Sequence, residues 1–164
     1  MWKGLALDGW IDLYKSDLDP QASDVVAGDF LSLPFADHMF DVLVWDPPHI
    51  SDVGVDSTMG TRYGSAGKDV CDWFAPFLRE AHRVVKPGGI LLAKLSDGIH
   101  SGKYQWILPK FVGEVWLQNN SGWPMLPDDL CVRVRTNHLN SSLWKRTLHL
   151  RRGHVYWIVV KMLK

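Results

Sequence analysis

The sequence predicts an α/β domain built on a mostly parallel sheet, with an antiparallel strand pair towards its C-terminal end. Three stretches carry that expectation. Phe40–Trp45 is apolar apart from Asp41 and contains two β-branched valines, the pattern of a parallel strand buried on both faces. Residues 69–85 read as an amphipathic helix, followed by a glycine turn and a second apolar strand at 90–95, so that strand, helix and strand alternate. Residues 155–161 (VYWIVVK) are dense in β-branched and aromatic side chains and form a late strand.

Length and composition bound the rest. The chain has 164 residues, enough for one domain over 1–164 with a real core. Hydrophobic residues make up 46%, which points to a globular rather than a disordered chain. No apolar run approaches a membrane span, and the N-terminus has no basic-then-apolar signal, so no membrane partner is expected. Cys71 and Cys131 suggest neither a disulfide framework nor a zinc site, and the cytoplasm is the expected compartment. Most of the nine tryptophans are expected in core or interface packing.

Net charge is zero but unevenly spread. Residues 1–60 hold eleven acids against Lys3 and Lys15, whereas residues 130–164 hold no acid and eight bases. Among those bases, Arg151 and Arg152 are adjacent candidates for contact with nucleic-acid phosphates. A solvated basic hairpin is the alternative.

Taken in order, residues 11–17 (IDLYKSD) alternate apolar and polar and run into Asp17-Leu18-Asp19-Pro20, a strand ending in acids and a turn. An acid at such a position can hold a ribose; Asp17 is the first choice and Asp19 the second. A turn-capping aspartate is the other reading. Residues 24–28 are a short strand candidate, followed by Asp29 and Phe30. The central strand then meets Asp46-Pro47-Pro48. Neither proline can donate to a sheet ladder, so the strand stops and presents Asp46 and His49 at its carboxyl edge. In open α/β sheets that edge is where ligands bind.

Residues 50–68 are Gly/Ser-rich without a clear period, and would form a lid or substrate loop after the strand. Arg62, Tyr63 and Lys68 could there contact a phosphate or stack on a base; an ordinary surface loop is the other reading. In the helix at 69–85, Trp73, Phe74, Phe77, Leu78, Ala81, Val84 and Val85 recur at helical spacing, and Pro76 marks a bend or a late start. Lys86-Pro87-Gly88-Gly89 ends it. Lys94 interrupts the apolar strand at 90–95, and either faces the cleft or snorkels to water. Residues 98–112 should contain a further helix broken near Pro109, and residues 113–129 read as irregular. Residues 130–135 and 155–161 read as strands, joined by the basic connection at 136–153.

Asp46-Pro47-Pro48 followed by the aromatic His49 resembles the catalytic motif of S-adenosylmethionine-dependent amino methyltransferases, which act on exocyclic nitrogens of nucleic-acid bases. The stretch GDFLSLPFADHMFDVLVWDPPH, residues 28–49, resembles class I methyltransferases over its whole length. REAHRVVKPGGILLAKL, residues 79–95, resembles the segment joining that family's fourth and fifth strands. The terminal strand resembles the family's last, antiparallel strand. The resemblance implies a Rossmann-like sheet with parallel strands at 11–17, 24–28, 40–45 and 90–95, and with Asp17, Asp29 and Asp46 along one carboxyl edge.

It also implies roles. An exocyclic amine is a poor nucleophile because its lone pair is delocalised into the ring. A carboxylate (Asp46) and a rigid backbone carbonyl in Pro47-Pro48 accept its N–H bonds and localise that lone pair. His49, in place of the commoner tyrosine, stacks on the base once it leaves the helix. Asp29 bonds the adenine amino group of the cofactor, and Phe30 packs beside the ring. DNA is the expected partner, with RNA as the alternative.

One part of the family pattern is missing. The class I fold opens with a strand, a glycine-rich turn and a helix, and the turn lets backbone approach the methionine half of S-adenosylmethionine. No such segment precedes Asp17. Gly4-Leu5-Ala6-Leu7-Asp8-Gly9 is the candidate remnant, and a parallel crossover of a dozen or more residues does not fit between it and the strand at 11–17. The first strand–helix unit is therefore expected to be absent or reduced; the strands on either side of it then pair directly, or its place is taken by residues 2–7 or by a second chain, for instance in a homodimer. Two functions follow as expectations. One is methyl transfer to an exocyclic amino nitrogen, with DNA adenine N6 or cytosine N4 as first choice and with weak cofactor binding by the isolated chain. The other is an inactive or truncated module with a binding or structural role.

Overall fold

A computed structural model describes residues 11–47, 70–100, 103–134 and 154–164. The chain divides into two compact units, Met1–Pro34 and Phe35–Lys164.

In the first unit, β1 (Ser16–Asp17) and β2 (Val26–Ala27) form a parallel ladder with Ser16 opposite Val26 and Asp17 opposite Ala27. Both strands are shorter than their sequence patterns suggest. Ile11, Leu13 and Tyr14 are exposed, so the alternation at 11–17 has no buried side to hold it in a sheet. Asp17 closes β1 itself by accepting the Asp19 N–H at 3.0 Å, an Asx turn. Lys15 and Asp24 pair at 2.5 Å, and the hydrogen bond from Lys15 holds the Asp24 carboxyl below its ordinary range. Gly28 follows β2 where a Cβ would come within 2.7 Å of Pro34 Cδ, a separation that excludes a side chain.

The second unit holds a four-stranded sheet in the order β3 (Phe40–Trp45), β4 (Val85–Leu95), β8 (His154–Met162), β7 (Met125–Val134). β3 and β4 are parallel, and β8 is antiparallel to both of its neighbours. The expected C-terminal antiparallel pair is therefore present. The expected single sheet of four parallel strands is corrected: β3 and β4 belong to this sheet, and β1 and β2 form a ladder of their own.

A 3-10 turn (Val70–Trp73) leads into α1 (Phe74–Val84). Pro76 falls in the first turn of α1, where backbone N–H groups have no intrahelical acceptor, so it marks a late start and not a bend. Pro109 plays the same part in α2 (Ile107–Asn120), which it opens and does not break. The reading of 113–129 as irregular is thus corrected: α2 runs through Gly113 to Asn120, and β7 begins at Met125. A short hairpin, β5 (Gly98–His100) with β6 (Lys103–Gln105), precedes α2, where only a helix was expected.

The core of this unit lies between the helices and one face of the sheet. Trp45 stacks on Phe77 at 3.8 Å, Phe74 meets Phe111 edge-on at 5.1 Å, and Leu78, Leu91, Ala93 and Ile158 are buried around them. The turn between α1 and the apolar part of β4 depends on glycine: Gly88 has φ 88, and a Cβ on Gly89 would lie 2.8 Å from the Asp41 carbonyl. Arg83 fastens the end of α1 to the segment before β3. It pairs with Glu80 at 2.5 Å and Asp37 at 2.7 Å and donates to the Phe35 carbonyl, and these carboxylates hold its charge more firmly than in a free arginine. Among the described residues no helix is long and apolar enough to cross a membrane, and no cluster of His, Cys, Asp or Glu could hold a metal.

Candidate active site

The site is built from the carboxyl end of β3. Side chains alternate along that strand: Trp45 is 4% exposed on the helix-covered face, while Val42 and Val44, exposed at 47% and 39%, project to the other. Asp46, one residue on, follows the side of Val44. Pro47 is buried and ends the strand.

Parallel register fixes Asp46's neighbour. Trp45 lies opposite Ala93, so the next step along both strands sets Asp46 beside Lys94. The Lys94 ammonium donates to Asp46 Oδ2 at 2.5 Å, and lies 5.9 Å from the centre of the Trp157 ring on β8. The Lys94 side chain is 15% exposed and that of Asp46 38%. The charge of Lys94 thus ends at the carboxyl edge of β3, on the motif acid.

Two residues beyond β4, Asp97 is buried. Its Oδ1 accepts the Ile107 and Leu108 N–H groups at 2.7 and 3.2 Å, and its Oδ2 accepts the Tyr156 hydroxyl at 2.8 Å. It therefore caps α2 from outside the helix, where Trp106 at the capping position offers no side-chain bond. Asp97 was missed in the sequence. The available signal was a helix start with no Ser, Thr, Asp or Asn before it, which calls for a donor-satisfying group from elsewhere.

In the first unit, Asp17 ends β1 and Asp29 lies two residues beyond β2, so both stand at the carboxyl end of the parallel ladder. Asp29 Oδ1 accepts the Leu31 N–H at 2.9 Å, and its carbonyl accepts the Ser32 N–H at 2.9 Å. Both carboxylates are exposed, and each turns an oxygen to its own loop, which leaves acceptor capacity for hydroxyl or amino donors. Phe30 is half-buried beside Asp29. Pro48, His49, Arg62, Tyr63, Lys68, Arg151 and Arg152 lie outside the described residues.

No family model matches the chain, and no curated protein matches it by sequence. Solved structures do match it. TTHA0409 from Thermus thermophilus, assigned as a DNA modification methylase, superposes with a TM-score of 0.50 at 12% identity over 80% of this chain. The PvuII DNA methyltransferase, specific for cytosine N4, superposes with a TM-score of 0.50 at 16% identity over 82%. The matches cover 48% and 47% of those proteins, so this chain spans about half their length. From the strand order, the antiparallel β8 and these superpositions together, the chain has the fold of the class I S-adenosylmethionine-dependent methyltransferases.

Proposed function

We propose that this chain transfers a methyl group from S-adenosylmethionine to the exocyclic amino nitrogen of a DNA base, adenine N6 or cytosine N4. The observation that carries the reading is Asp46-Pro47 at the carboxyl end of β3, with the Asp46 carboxylate held by Lys94. The names of the two structural neighbours favour DNA over RNA.

In this reading the base amine donates one N–H to Asp46 and another to a backbone carbonyl of the Pro47-Pro48 pair. Those bonds draw the nitrogen lone pair out of conjugation. As the nitrogen gains positive charge, the fixed carboxylate stabilises it without reorganising, which is where such a group lowers a barrier, and the methylated nitrogen then gives up one of its two protons to water. His49 stacks on the extruded base. Arg62, Tyr63 and Lys68 contact the strand around it, and Arg151 with Arg152 neutralise phosphates.

The residues present fit the nucleoside half of the cofactor. Asp17 and Asp29 are exposed acceptors at the ends of adjacent parallel strands, one suited to ribose hydroxyls and the other to the adenine amine, with Phe30 beside the ring. When bound, S-adenosylmethionine supplies an electrophilic methyl group on a sulfonium.

The test is transfer of labelled methyl from S-adenosylmethionine to DNA of mixed sequence by the purified chain, followed by nucleoside analysis. Label in N6-methyladenine or N4-methylcytosine is expected, and none with Asp46→Ala. Transfer that survives Asp46→Ala would remove the assignment.

A further inference from the structure

We propose that Lys94 is a positioning residue for the Asp46 carboxylate, an inference that rests on the methyl-transfer reading above.

Lys94 projects from the face of β4 opposite to the buried Leu91, Ala93 and Leu95, beside the half-buried Leu92 and on the side of Val44 and Asp46 of β3, and its side chain keeps 15% exposure. A lysine near such surroundings ordinarily runs its stem over apolar surface and carries its ammonium to water. This one instead places the ammonium on Asp46 Oδ2, with the Trp157 ring nearby. Two other lysine–carboxylate pairs are surface pairs: Lys15–Asp24 at 39% and 64% exposure, and Lys86–Asp41 at 45% and 79%. Lys94–Asp46 is better shielded than either, so salt and water screen it less.

The backbone explains why Asp46 needs a partner of this kind. Asp46 lies just past β3, beyond the last ladder pair, Trp45 with Ala93. Lys94 lies within β4, hydrogen-bonded to β3 on one side and β8 on the other, with Trp157 directly opposite. The rigid strand thus steadies an acid at the end of its neighbour. An ionised carboxylate offers about four lone-pair sites. A lysine engages it as a point charge and not by the two-pronged grip of an arginine. The ammonium also favours the ionised carboxylate, the form that accepts and does not donate.

Other charges near this edge are placed differently. Asp97 is bonded to Ile107, Leu108 and Tyr156, and Lys161 on β8 stands opposite Ile90, at the other end of the paired stretch. Among the described residues, Lys94 is a charge placed on Asp46 where it can set the acidic limb of a rate profile that depends on that carboxylate.

The test compares wild type, Lys94→Met, Lys94→Gln and Lys94→Arg, each full-length and checked for folding by circular dichroism. Lys94→Gln keeps a polar stem should Lys94→Met not fold. If wild type transfers methyl, removing the charge should lower kcat by about 100-fold with cofactor affinity unchanged. The acidic limb of kcat should move up by about one pH unit or more, while Lys94→Arg keeps it in place. An unchanged kcat, or a lowered kcat with an unmoved limb, would overturn the proposal. If wild type transfers no methyl, the function reading fails separately, and Lys94 is judged by carbon-13 titration of the Asp46 carboxyl. A midpoint that rises in the uncharged variants supports the pairing, and one that stays put rejects it.

Discussion

Asp46 and His82 show how much a single side chain can be asked to do. Asp46→Ala removes the proposed acceptor for the reacting amine, so methyl transfer should fall to background. Its structural cost should be small, about 1–2 kcal/mol by denaturant titration, because the pair it breaks with Lys94 is partly exposed. His82 makes a different case. It lies edge-on to Trp123 at 5.5 Å, and burial, with His38 adding repulsion, pushes its pKa below the ordinary 6.5. The folded state therefore prefers neutral His82. Its contribution to stability is complete above pH 6.5 and is lost as pH falls through the lowered folded value. Denaturation midpoints should drop below pH 6.5, and His82→Gln should drop less steeply over the same range. Equal slopes in the two proteins would mean that His82 does not carry the effect.

At the level of elements, Asp97 joins the end of β4, the start of α2 and Tyr156 on β8. Asp97→Ala leaves two helix N–H groups and a phenol without this acceptor, and should cost about 2–4 kcal/mol. Tyr156→Phe removes one of the three bonds and should cost about 1 kcal/mol. Near-equal losses in the two variants would count against Asp97 as the cap of α2. This cap also shows where the sequence stops being readable. β3, α1 and the apolar part of β4 at 90–95 are legible in the sequence because their apolar periods are bounded by Asp46-Pro47 and Gly88-Gly89. The start of α2 is not, since its capping acid stands ten residues earlier and only folding brings it there. Gly113, Gly122 and Pro124 looked like loop signals, yet Gly113 sits within α2 with open space around it, where a missing side chain costs propensity but no contact. The strand expected at 11–17 is longer than the one observed because the alternation there has no core beneath it among the described residues. The motif acid was legible in the sequence; that Lys94 meets it depends on the register between two strands, which joins residues 48 positions apart.

For the whole molecule, the expected deficit is in the cofactor. In the proposed function Asp17, Asp29 and Phe30 would serve the nucleoside half, and residues 1–16 contain no glycine turn of the kind that would meet the methionine half. The purified chain should bind S-adenosylmethionine at around millimolar, and adenosine nearly as well. Calorimetric titration with both ligands decides this. Micromolar S-adenosylmethionine with much weaker adenosine would mean that residues 1–10 or a second chain supply the missing donors. Affinity for DNA should fall steeply with salt, and replacing Arg151 and Arg152 with alanine should flatten that slope. Salt-independent binding would return the basic stretch to a solvated role. The strand order has a consequence for synthesis as well. β8 is made after every other strand of the sheet, yet it sits between β4 and β7 and is hydrogen-bonded to both. Until β8 has been made and folds in, β4 and β7 each wait with an unpaired edge and valine- and leucine-rich faces, the kind of intermediate that captures other nascent chains. A chain stopped at Gly153 should therefore be recovered as aggregate, and a synthetic peptide of residues 154–164 supplied during refolding should rescue part of it.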